Sequence, residues 1–140
     1  MPLFVPPSAL TGPVEVKLRR VANQSIANNS VVAIDWDTED ADAFGFITVT
    51  SGTLTVPAGL GGLYIVTASV FTVTLAARAL TDLVLGGTSF RVSNGAQERT
   101  WANTVTWRLA AGATIVLNVF QLSGSTLDFT ANFTAIRVAA

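Results

Sequence analysis

The sequence predicts an all-β fold, a sandwich or barrel of about ten short antiparallel strands. Runs rich in β-branched and aromatic residues recur along the chain. Clusters of Gly, Pro, Asn, Asp and Ser separate them at intervals of about eight to twelve residues. No stretch sustains the spacing of an amphipathic helix. The clearest single signal is Leu63–Val73, eleven residues free of Pro, Gly and charge, entered from a turn built on Pro57, Gly59, Gly61 and Gly62. Such a run reads as a central strand buried on both faces. Tyr64, Val66, Ala68 and Val70 point one way, and Leu63, Ile65, Thr67, Phe71 and Val73 the other.

In chain order, residues 1–13 hold four of the five prolines together with Leu3, Phe4 and Val5. Proline neither continues a helix nor donates to a ladder, so an extended N-terminal arm is expected, with one domain over 14–140. Its apolar residues suit docking on a neighbour. Val14–Val21 alternates apolar and charged residues, a half-exposed strand whose Lys17, Arg19 and Arg20 form a solvated face. Asn23–Ser30 has turn chemistry, and Val31–Trp36 reads as a short strand. Asp35 and the segment Asp37–Asp42 together hold five of the nine acids. The segment reads as a solvated acidic turn. Oxygen-rich loops also hold Ca²⁺, which would make Asp37, Glu39 and Asp40 the ligands, but the spacing lacks the glycine and closing Glu of an EF-hand.

Phe44–Thr50 and Gly52–Val56 read as two short strands. Leu75–Leu80 has helical propensity but is too short to stand alone, and a connection is expected there. Thr81–Leu85 and Thr88–Val92 flank Gly86-Gly87 as a tight hairpin. Trp101–Leu109 alternates, with Trp101, Asn103, Val105, Trp107 and Leu109 on one face. Thr114–Gln121 and Leu127–Val138 complete the set, with Ala110–Ala113 and Ser123–Ser125 as the turns before them.

Half of the residues are hydrophobic and only 12% charged, against about 25% charged in an ordinary soluble domain. Eight basic and nine acidic residues do not dress the surface of a monomer of this length, so part of that surface is expected to be buried against other chains. The net charge of −1 gives no case for nucleic acid or an anionic membrane. No run reaches the length of a membrane helix, and the N-terminus has no charged n-region, so a soluble product made without export is expected. The three Asn-x-Ser/Thr sequons, at Asn23, Asn28 and Asn132, then carry no meaning.

The chain has no His and no Cys. That removes the usual general base, the nucleophilic triads and the commonest metal ligands. The one Lys, Lys17, sits in a charged strand, and no phosphate-cradling glycine motif precedes a helix. A non-enzymatic protein without a cofactor is expected.

Four segments, in order, carry a family resemblance. Ala22-Asn23-Gln24-Ser25-Ile26 leads into Val31–Asp35. Gly45-Phe46 and Leu54-Thr55-Val56-Pro57 precede Gly62-Leu63-Tyr64-Ile65-Val66. Leu109-Ala110-Ala111-Gly112-Ala113-Thr114-Ile115-Val116-Leu117 comes late, and Phe133–Val138 closes the chain. Over residues 15–138 the order resembles the jelly-roll domain shared by the complement component 1q globular head and the tumour necrosis factor superfamily, in the short form found in bacteria and bacteriophages. Ala113 stands where the family commonly has Asp, and Ala135 where it has Gly.

The resemblance implies a jelly-roll β-sandwich and a homotrimer that works by binding or assembly. Candidates for the interface are Leu3 and Phe4 of the arm with Tyr64, Phe71, Phe120, Phe129 and Phe133. For Tyr64, Phe120, Phe129 and Phe133 taken singly, the sandwich core is the favoured alternative, whereas the outer face that carries Phe71 is read as association surface. A capsid decoration protein of a bacteriophage virion, held to the capsid through the arm, is the leading expectation. The alternative is a receptor- or carbohydrate-binding tip, in which Trp36, Trp101 and Trp107 stack on sugar rings.

Overall fold

The computed structural model describes residues 13–47, 52–76, 78–94 and 98–140, excepting the side chains of 74–76, 78, 93, 94 and 98. Ten strands lie among them: β1 (Glu15–Ile26), β2 (Ser30–Ala33), β3 (Thr38–Ala41), β4 (Thr53–Thr55), β5 (Gly62–Ala76), β6 (Arg78–Leu85), β7 (Thr88–Asn94), β8 (Glu98–Leu109), β9 (Thr114–Leu122) and β10 (Leu127–Ala139). They build two antiparallel sheets. The first has the order β3-β1-β10-β5-β8, and the second β2-β9-β6-β7, with β4 sharing the β2 edge of β9. The last strand therefore lies in the middle of the first sheet, between β1 and β5.

Alternation decides what each strand buries. From β5, Tyr64, Val66, Ala68 and Val70 enter the core, and β10 sends in Leu127, Phe129, Ala131, Phe133 and Ala135. Facing them are Ala79, Leu83 and Leu85 of β6 with Ile115, Leu117 and Val119 of β9. Three ring pairs pack within this core: Trp36 with Phe133, Phe46 with Tyr64, and Trp101 with Phe129. The Tyr64 hydroxyl donates to the Leu60 carbonyl, and burial pushes its pKa up. Gly86 and Gly87, at φ 58° and 87°, make the left-handed pair that closes the β6–β7 hairpin.

Several expectations change. Leu63–Val73 is paired on both edges but buried on one face only, because among the described residues no second layer covers its outer side chains. Leu75–Leu80 is not a connection: β5 continues to Ala76 and β6 begins at Arg78, tertiary pairing having overridden helical propensity. The turn expected from Asn23 starts later, since β1 runs to Ile26. Of the expected strand Phe44–Thr50, residues 44–47 form a turn whose N–H groups at Phe46 and Ile47 donate to the Asp42 carboxylate; 48–50 lie outside the described residues. The arm over 1–12 lies outside them as well.

The acidic segment is a strand, not a turn. β3 pairs with β1 at the edge of the first sheet, where the Arg19 guanidinium holds Asp40 through both carboxylate oxygens. Just beyond, β1 bulges between Arg20 and Gln24. The bulge frees the N–H groups of Val21 and Ala22, and both donate to the Asp37 carboxylate at 2.8 Å. Arg20 donates to the carbonyls of Ala22, Asn23 and Asp35. Desolvation pushes the Asp37 pKa up, but the two backbone donors, the Thr38 hydroxyl and Arg20 outweigh it and hold the group below its ordinary 3.8.

A carboxyl with a lowered folded-state pKa contributes stability above its unfolded pKa and loses it as pH falls through the folded value. The bulge should therefore weaken as pH drops below about 4. Asp37→Asn should cost about 1–2 kcal/mol at neutral pH and flatten the acid limb of a melting-temperature profile. An unchanged acid limb would show that Asp37 does not hold the bulge.

Candidate self-association surface

The outer face of the first sheet is the most unusual surface among the described residues. On β5 it presents Ile65, Thr67, Ser69, Phe71 and Val73. Pairing sets their neighbours. Phe71 lies between Thr100 and Thr130, Ser69 between Ala102 and Asn132, Thr67 between Thr104 and Thr134, and Ile65 between Thr106 and Ile136. Three adjacent strands thus present apolar and small polar side chains without one charge. Phe71 is 42% exposed and Val73 66%, high values for apolar side chains at the centre of a sheet. The charges stand around this patch: Arg108 at one end, Asp128 at the other, and Glu15, Lys17 and Arg19 along β1. An uncharged centre inside a charged rim is how protein interfaces are built.

Beside this face runs an uncovered sheet edge. Among the described residues β8 pairs only with β5, and from Thr100 to Trp107 it carries no charge. Long uncharged edge strands invite pairing with other chains, and proteins normally blunt or cover them. The equivalent edge of the second sheet is β7, and the two meet where Phe90 packs edge-on against Trp107 at 5.0 Å between ring centroids. Asn103 closes part of the gap by donating to the Phe90 carbonyl. Trp107 still stands 38% exposed. A flat apolar face and an apolar edge thus lie next to one another on one protomer.

The residues singled out in the sequence fall in different places. Phe71 is on this face. Tyr64, Phe129 and Phe133 lie in the core of the protomer, with an exposure of 2% or less. Phe120 points outward too, but from β9 on the opposite sheet, beside Val31 and Leu80. Leu3 and Phe4 lie outside the described residues. Trp36 and Trp101 are buried, which leaves Trp107 as the one tryptophan with an exposed ring. Asp37 and Asp40 are committed to protein donors, and no group of three acidic residues suited to a metal occurs among the described residues. Ile136 and Phe90 were not singled out in the sequence; pairing places Ile136 beside Ile65 on the outer face, and Phe90 lies at the β7 edge against Trp107.

No protein-family model matches the sequence, and no curated protein is similar to it. Solved structures do share its fold. The PRD1 vertex protein P5 superposes with a TM-score of 0.71 at 18% identity, over 91% of this chain and 99% of that one. The globular domain of zebrafish complement 1qA gives 0.68 at 12%, over 91% and 98%. Murine APRIL gives 0.60 at 14%, over 85% and 96%. The chain has the jelly-roll fold of these complement- and tumour-necrosis-factor-like proteins.

Proposed function

We propose that this jelly-roll protein is a non-enzymatic structural protein of a bacteriophage particle, a homotrimer that decorates and stiffens the capsid. The observation that carries the reading is the charge-free outer face of the first sheet beside the uncovered edge strand β8. Face and edge are different surfaces, so one protomer's edge seats on the next protomer's face. A head-to-tail contact of this kind closes into a ring when its rotation allows. Three copies give the ring that the family resemblance implies. Phe90 and Trp107 of one protomer then cover Ile65 and Phe71 of the next, which removes the exposed edge and the apolar face together.

The likeness to a phage vertex protein supports a place in a virion. The arm at residues 1–12, with Leu3 and Phe4, is the segment that reaches the capsid. Three arms on one ring turn a weak contact into a firm one, because the second and third bind at high effective concentration. Carbohydrate binding is less well supported, because two of the three tryptophans are core residues.

The test is reconstitution. Capsids lacking the protein should bind it from solution and resist heat better afterwards, and deleting residues 1–12 should abolish binding while the ring survives. Capsids that take up none of it and gain no heat resistance would end the decoration reading. A solution mass that falls, at the dilute end of a concentration series, to anything other than three 14.6 kDa chains would end the trimer.

A further inference from the structure

The outer face of the second sheet has a different character. Its rows follow from pairing: Val31, Phe120 and Leu80; then Ala33, Asn118, Asp82 and Arg91; then Val116, Val84 and Ser89. Val31 is 66% exposed. Among the described side chains of this face, Asp82 and Arg91 are the only charges. They pair weakly with each other, through one contact of 3.2 Å. The Asp82 side chain is only 14% exposed, and its Oδ1 is buried with no hydrogen-bond partner. Arg91 is 61% exposed and makes no other hydrogen bond among the described residues. A carboxylate accepts several hydrogen bonds and a guanidinium donates five, so the buried Asp82 oxygen lacks a partner at a cost, while the exposed Arg91 fork has donors to spare.

We propose that this face is a second self-docking surface, on which two copies meet about a twofold axis. A twofold contact sets the same patch against itself, so whatever touches a residue is touched in return. An acid beside a base on one patch is self-complementary under that operation. Each copy's Arg91 fork reaches the other copy's Asp82, whose carboxyl turns about a soft terminal torsion to present Oδ1. Val31, Leu80 and Phe120 close around the two pairs and exclude water, the surroundings in which charged pairs at interfaces matter most. This contact is independent of the first sheet. Rings joined through it form double rings, and protomers whose ring contact has been removed form pairs.

Sedimentation equilibrium of the full chain across a concentration series tests it. The wild-type mass should rise from that of the ring to twice that value. Arg91→Glu should weaken this doubling at least about tenfold, as should Val31→Glu, a substitution at an exposed site that leaves the fold alone. Both variants should still form the ring, which separates this contact from the one on the first sheet. A wild-type protein that never exceeds the ring mass overturns the proposal. So does a doubling that survives Arg91→Glu, or one that both variants leave within twofold of the wild type.

Discussion

Phe71→Asp is expected to abolish the proposed threefold assembly while leaving the protomer folded. Its side chain is 42% exposed in the single chain, so a carboxylate there remains hydrated and costs the fold little. In the assembled ring the same carboxylate would be buried in an uncharged strip between Thr100 and Thr130. Truncating a central interface aromatic alone costs about 2–4 kcal/mol, and burying an unpaired charge adds to it. Association at that contact should weaken about thirtyfold or more. Light scattering should show the three-chain species gone, leaving single chains or pairs, while the β-sheet circular dichroism and melting cooperativity remain. A folded trimer carrying Phe71→Asp would remove the first sheet from the interface.

Phe129→Ala should do the reverse. Phe129 is fully buried in the protomer, against the Trp101 ring. Removing it leaves a cavity that the surrounding sheet pairing prevents from collapsing, at a cost of about 3–5 kcal/mol. That is a large share of the stability of a small domain. Denaturant unfolding should show the midpoint falling steeply, with loss of the assembly only a consequence. A variant as stable as the wild type but unable to assemble would return Phe129 to the interface. The two phenylalanines lie one residue of register apart on neighbouring strands, Phe129 opposite Thr72 and Phe71 opposite Thr130. Their effects should still be opposite in kind.

That contrast shows how far the sequence could be read. Alternation correctly sorted Tyr64, Val66, Ala68 and Val70 from Ile65, Phe71 and Val73, since a strand has only two faces. It does not say which face is covered when both are apolar. Phe71 and Phe120 looked alike in the sequence, yet they stand on opposite sheets, a distinction made by the pairing of β9 with β6 in the second sheet and by nothing local. β3 was hidden for another reason. Thr38–Ala41 has no strand propensity worth the name, and it is extended because β1 offers an edge and Arg19 holds Asp40. The Leu75–Leu80 segment shows the same override from the other side. By contrast the Gly86-Gly87 hairpin was legible outright, because its backbone needs two positive φ angles that glycine supplies locally.

The place of β10 has a consequence for how the molecule comes into being. It sets residue 136 between residues 15 and 65, so the first sheet holds a vacant lane until the closing strand arrives. Contacts this remote in sequence make folding slow, in the range of milliseconds to seconds. Meanwhile β1 and β5 each expose an unpaired edge to any chain nearby. A nascent protomer is thus most vulnerable just before completion, and a partner surface cannot form until it is complete. Assembly should follow folding rather than guide it, and the yield of intact protein should depend on how crowded its unfinished copies are.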